Sequence, residues 1–177
     1  MIEKPKPESY TLEQMRNLIA SVQDSRDKLM LRTIYETGCT PRELVEIKAQ
    51  DIAGNMIKIK STSFRVAKIS GNLSKDMSLY IQGNKLQGYV FCTRQSKKIS
   101  EKRVRQLVQE YTKKIGTAIN PIMLRYYHIA HAYLNGVFIE EIAKQLGLTK
   151  FRIFQVLQEL GINPKSNNYH NFLGRVG

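Results

Sequence analysis

Residues 37–43, Thr-Gly-Cys-Thr-Pro-Arg-Glu, close one helix and open another within a few positions. The apolar stripe of Leu29, Met30, Ile34 and Tyr35 runs at helical spacing and ends at Gly38. Thr40 then stands as an N-cap, Pro41 as the first helical residue, and Glu43 is placed to reach back to the cap amide. Thr40 therefore has a complete structural role of its own. An earlier helix opens at Thr11-Leu12-Glu13-Gln14, a second capping box, and carries Met15, Leu18, Ile19 and Val22 on one face.

Between residues 54 and 81 the period changes to short alternating runs at 56–60, 66–69 and 77–81, separated by Gly- and Ser-bearing turns. That pattern predicts a small antiparallel sheet of three strands. Ser100 caps a further helix with Val104, Leu107, Val108, Tyr111 and Ile115 on its apolar face, closing at Gly116. The last third reads as helices over 121–134, 137–146 and 150–160, broken at Gly136, Gly147 and Gly161. The expected architecture is α+β, mainly helical: one domain over residues 10–162, a Pro5- and Pro7-bearing arm at 1–9, and a polar tail at 163–177.

With 177 residues, 42% of them hydrophobic, the chain can bury one real core. Its 28 Lys and Arg exceed its 15 Asp and Glu by 13, and its pI is near 9.8, so a polyanion is the natural partner. No apolar run approaches the roughly 18 residues of a membrane-spanning helix, and the N-terminus lacks a signal-peptide core. An intracellular protein without membrane attachment is expected. Cys39 and Cys92 lie in separate motifs, so neither a metal site, a disulfide framework nor any cofactor is expected.

The positive charge is unevenly placed. Residues 91–125 hold nine Lys and Arg against Glu101 and Glu110. Arg94, Lys97, Lys98, Lys102, Arg103 and Arg105, on a loop and a helix start, are the candidate phosphate-tracking surface. Residues 139–160 also fit a helix-turn-helix, with Ala143 at the close approach, Gly147 in the turn and aliphatic residues pinning the second helix. In that arrangement Lys150 and Arg152 reach phosphate or guanine, and Gln155 pairs with adenine in the major groove.

Residues 35–52, Tyr-Glu-Thr-Gly-Cys-Thr-Pro-Arg-Glu-Leu-Val-Glu-Ile-Lys-Ala-Gln-Asp-Ile, resemble the signature block of the tyrosine recombinases, or phage integrases. That block usually reads Thr-Gly-Leu-Arg-x-Ser-Glu-Leu. Residues 89–92 with the helix start at 99–104, residues 120–125 continuing to Gly136, and residues 139–148 are similar to later family motifs, in the same order. The resemblance begins near Tyr10 and implies the family's catalytic-domain fold without its N-terminal clamp domain.

The family's chemistry uses two arginines and a lysine around the scissile phosphate, His or Trp support, and a tyrosine nucleophile. Arg125 matches the second arginine. Thr40 stands in the first arginine's column, Ile122 and Leu148 in those of two histidines, and Leu157 in that of the nucleophile. Lys60 and Lys68 are candidates for the β-turn lysine, with Arg65 between them. Arg42 is a candidate for the first arginine in a shifted register, and Tyr169, beside His170, for a tail-borne nucleophile. Each lost contact of this kind typically costs about 10²- to 10³-fold in rate. The resemblance therefore implies a catalytically silent binder of double-stranded DNA, acting in recombination, integration or site recognition as a homodimer or as partner of an active recombinase. Two alternatives stand beside it: an active divergent recombinase using Tyr169, and a helix-turn-helix transcription regulator.

Overall fold

Eight helices and a three-stranded sheet make up the described part of the computed structural model, residues 11–61, 64–116 and 118–164. The expected arm, Tyr169, and all but Asn163 and Pro164 of the expected tail lie outside the described residues. Helix α1 (Leu12–Ser21) opens on the Thr11–Gln14 capping box and α3 (Pro41–Val45) on that of Thr40 and Glu43, with both reciprocal bonds present in each. Between them α2 (Ser25–Thr37) ends on Gly38 in the left-handed conformation, φ 62°. Its buried face carries Leu29, Met30, Ile34 and Thr37 and packs on α1, α3, α4 and α6.

The sheet has the order β1-β2-β3, all antiparallel: β1 (Ile52–Ala53), β2 (Met56–Ile59) and β3 (Arg65–Lys68). Two strands lie where alternation places them, and the third does not. Residues 77–81, expected as a strand, belong to α4 (Gly71–Gly83), which Ser70 caps by accepting from Leu73 N. Met77, Leu79 and Ile81 do alternate, but the buried pair Leu73 and Met77 is spaced four apart, while Leu79 is 58% exposed. Helical spacing and a capping serine outweigh the alternation. The missing strand is β1, joined to β2 by Gly54 and Asn55, with Ala53 opposite Met56.

Helix α5 (Glu101–Lys114) packs on α3, and α6 (Pro121–Leu134) packs on α2 and begins the second half of the core. Residues 15–127 supply one cluster of buried side chains, around Met30, Leu44, Ile57, Phe91 and Tyr127. The C-terminal half of α6, α7 (Ile139–Leu146) and α8 (Lys150–Glu159) supply a second, around Ile142, Leu146, Ile153 and Leu157. Gln145 ties α7 to the sheet. Its side-chain amide donates to Lys68 O at 2.6 Å and Glu36 O at 3.2 Å, and its Oε1 accepts from Lys68 N at 2.8 Å. No helix among the described residues is long and apolar enough to cross a membrane.

The close fit of α2 against α7 depends on Gly38. A Cβ there would lie 2.6 Å from Leu146 Cδ2, and the left-handed backbone already disfavours any side chain. Gly38→Ala is expected to destabilise the domain by on the order of 2 kcal/mol, read as a lower urea midpoint with unchanged slope.

Candidate nucleic-acid interface

The β2–β3 hairpin delivers Arg65 into the interior, where its side chain is 6% exposed. Its Nη1 donates to Thr37 O at 3.2 Å and to Gln145 O, and its Nη2 donates to Glu43 Oε2 at 3.3 Å. The same Glu43 oxygen accepts the Thr40 backbone N–H at 2.8 Å. One carboxylate thus holds both the start of α3 and the hairpin arginine. Gly147, with φ +66°, makes room for the arginine stem: a Cβ there would meet Arg65 Cδ at 2.7 Å.

Arg125 projects from the first half of α6, whose start is fixed by Asn120 accepting from Met123 N and by Pro121. Its Nη2 donates to Leu146 O at 2.8 Å. The Nε groups of Arg65 and Arg125 are buried without a hydrogen-bond partner among the described residues. Burial pulls the Arg125 guanidinium below its ordinary value; the Glu43 carboxylate opposes that shift and the Arg65 charge adds to it. Two guanidiniums facing one carboxylate leave this cluster positively charged, an arrangement that favours an incoming anion.

These side chains border a cleft of about 530 Å³ lined by Thr40, Arg42, Glu43, Glu46, Lys60, Ser61, Arg65, Arg125 and residues 146–148. The structure thus brings Arg42, Lys60, Arg65 and Arg125 together. Arg42 is exposed at its mouth, and Lys60 stands half-exposed, 3.7 Å from Asp51. Lys68 is elsewhere, on the rim of a separate cavity behind α7. Leu148 lines the cleft, whereas Ile122 is exposed outside it. Leu157 is fully buried in the α6–α8 core. Among the described residues no tyrosine or histidine lines the cleft.

Residues 8–156 match the Phage integrase family. The chain belongs to that family. Within it, the chain is similar to the tyrosine recombinase XerA of Pyrococcus horikoshii, 29% identical over 164 residues, covering 88% of this chain and 58% of that protein. It is 23% identical to the tyrosine recombinase XerD of Chlamydia trachomatis over 84% of this chain and 53% of that one. The integrase-family chain therefore spans little more than half the length of these relatives. In fold it resembles the crystal structure of XerA recombinase, with TM-score 0.78 at 19% identity over 94% of this chain and 63% of that one. It also resembles the XerH recombinase bound to its difH substrate before cleavage, with TM-score 0.69 at 17% identity over 81% and 48% of the two chains.

On this integrase-family domain the basic loop adjoins the cleft, because Lys98 reaches Glu46 at 2.5 Å and Glu46 lines the cleft. Tyr89 lies beneath Lys48 and Lys98, each ammonium 5.2 Å from the ring centroid. Arg103 pairs with Glu110 and Arg105 with Glu101 on the exposed face of α5. Such exposed pairs contribute about 0–1 kcal/mol each and exchange readily for phosphate contacts. Arg94, Lys97 and Lys102 are exposed with no carboxylate partner among the described residues.

Helices α7 and α8 do form a bihelical pair about a left-handed Gly147. Of the side chains expected to read bases, Lys150 pairs with Glu140 at the surface, and Arg152 lies over Tyr126, bonding its hydroxyl, Gln155 and Glu159. Phe151 is 70% exposed instead.

The sequence showed Glu43 as half of a capping box but not as the counter-ion of Arg65, since their juxtaposition spans the hairpin. Removing Arg65 leaves that carboxylate buried and under-compensated. Arg65→Met is expected to destabilise the domain by about 3–5 kcal/mol, with Arg65→Met/Glu43→Gln recovering part of the loss in urea denaturation.

In the separate cavity behind α7, His128 is pushed down to about 4, first by burial, with the charges of His131, Arg65 and Arg125 adding and a Tyr35 backbone contact opposing. Its folded value lies below the ordinary 6.5. The unfolded chain therefore binds more protons between these limits, and this contribution to stability, complete above pH 6.5, is lost as pH falls towards 4. His128→Gln is expected to flatten the stability profile across that window by at most about 1.4 kcal/mol per pH unit, measured by urea denaturation at stepped pH.

Proposed function

We propose that this integrase-family domain binds duplex DNA across the cleft and its adjoining basic loop, without carrying out strand transfer on its own. The observation that carries the reading is the cleft's composition. It keeps a half-buried guanidinium, Arg125, beside Arg42 and Lys60, groups suited to phosphate. The first arginine's column holds a helix-capping threonine, and neither an imidazole nor a tyrosine borders the cleft among the described residues. Phosphate binding survives in such a site, while among the described residues no tyrosine lines it to attack phosphorus and Lys60 is the lining ammonium placed to protonate a leaving oxygen.

The solved neighbours include recombinases bound to DNA, among them the XerH complexes and a lambda integrase dimer on a core site. By that likeness the domain works in recombination, integration or site recognition, with a second copy or an active recombinase beside it supplying the missing groups. The names of the relatives favour a second reading, an active recombinase whose nucleophile is Tyr169. The helix-turn-helix regulator is the weaker alternative, because Arg152 is held on Tyr126 rather than presented outward.

Incubating the chain with nicked suicide duplexes tests these readings together. A salt-sensitive gel shift without a denaturation-resistant adduct is the expected result; an adduct that vanishes in Tyr169→Phe would overturn catalytic silence. Arg103→Ala/Arg105→Ala is expected to weaken binding to all duplex sequences alike and to lower the slope of log K against log salt by about 2. Unchanged binding by that variant would remove α5 from the interface.

A further inference from the structure

Behind α7, away from the cleft, the described residues enclose a second concavity of about 660 Å³. Leu12, Val66, Ile69, Ala132, Val137 and Ile142 give it apolar walls. Deep in it the Tyr35 hydroxyl and His131 Nδ1 are 2.7 Å apart, and the Tyr35 ring meets the His128 and His131 rings edge-on. Val66 and Val137 are partly exposed at the rim. Size, apolar walls and a few converging polar groups are the attributes of a small-molecule site.

The mouth supplies the charge. Lys68 and Lys144 are exposed there with no carboxylate partner among the described residues. Of the mouth's carboxylates, Glu36 accepts from Ser70 N at 2.7 Å and Ser70 Oγ at 3.0 Å, and Glu140 pairs with Lys150 at 2.8 Å. Glu141 is the remaining carboxylate, so two ammoniums face one uncommitted acid. Apolar walls make a poor seat for a nucleic-acid backbone, unlike the cleft.

We propose that this cavity binds a small amphipathic anion, with its apolar body against Val66, Val137 and Ile142 and its acidic head at Lys68 and Lys144. Nothing in this depends on the DNA-binding reading, and its test contains no DNA.

The probe is 8-anilinonaphthalene-1-sulfonate, an aromatic body with one sulfonate, titrated into the full chain at physiological salt with fluorescence readout. Saturable one-site binding is expected, with Kd on the order of tens of micromolar, ordinary for a molecule of this size. Val66→Trp fills the cavity from its rim without altering net charge and is expected to weaken binding by about 10-fold or more. Val137→Trp does the same from another element, so the result does not hang on one variant's folding, which circular dichroism checks. Lys68→Gln/Lys144→Gln is expected to weaken the sulfonate dye several-fold and to leave the uncharged N-phenyl-1-naphthylamine unaffected.

Three outcomes overturn the proposal. Binding undiminished in both tryptophan variants places the dye on the general basic surface. Equal loss of charged and uncharged dyes in the lysine variant removes the head-group site. No saturable binding means the cavity is closed in the full chain, by its own terminal residues or otherwise.

Discussion

A buried guanidinium must have its charge matched, and in this domain one such group, Arg65, joins four elements. Its Nη atoms reach Thr37 O at the end of α2, Gln145 O near the end of α7, and Glu43 on α3, while its own backbone lies in β3. Both carbonyls sit at helix C-termini, where the partial charge is negative and a cation is favoured. The hairpin, two long-range helix ends and the short α3 are therefore fixed relative to one another by groups that lose their compensation if any one moves. Glycine at 38 and 147 is what permits this approach, since a Cβ at either would collide with Leu146 or with the Arg65 stem.

Within that frame Thr40 meets a local need. It accepts from Glu43 N while Glu43 accepts from Thr40 N, and the reciprocal bonds give a helix of only five residues a defined start. A cap of this kind is worth about 1 kcal/mol. Thr40 borders the cleft and brings no charge to it. What lines the cleft among the described residues is Arg42, Lys60, Arg65 and Arg125 without a tyrosine or a histidine, a set suited to positioning a phosphate.

Much of this was legible from local signals. The capping boxes at Thr11 and Thr40, the cap at Ser100, and the helix stop at Gly38 act over three or four residues, so the sequence displays both halves of each. The end of α6 follows from Gly136 in the same way. The strand at 77–81 was misread because Met77, Leu79 and Ile81 satisfy a two-residue period while Leu73 and Met77 satisfy a helical one, and only the packing of Met77 against the core decides between them. β1 was missed because two residues carry too little pattern to register. In the site, the family frame pointed to Arg125, Lys60 and Arg65, which line one cleft, and to Lys68, which lies at another cavity. The partners of Arg65, Lys98 and Arg152 come from distant segments, and no local period encodes them.

Gln145 gives the sheet edge a different character from the rest of the fold. Its side-chain amide offers Lys68 one acceptor and one donor, as a residue of a neighbouring strand would, so β3 ends against a single-residue imitation of a fourth strand. Exposed edges invite pairing with other chains, and here that register is already occupied from within the same molecule. The residue making this contact starts a short run, 145–148, whose first member faces the rear cavity and whose last three face the cleft. Four consecutive residues thus serve both hollows, so a substitution in this run borders the one or the other.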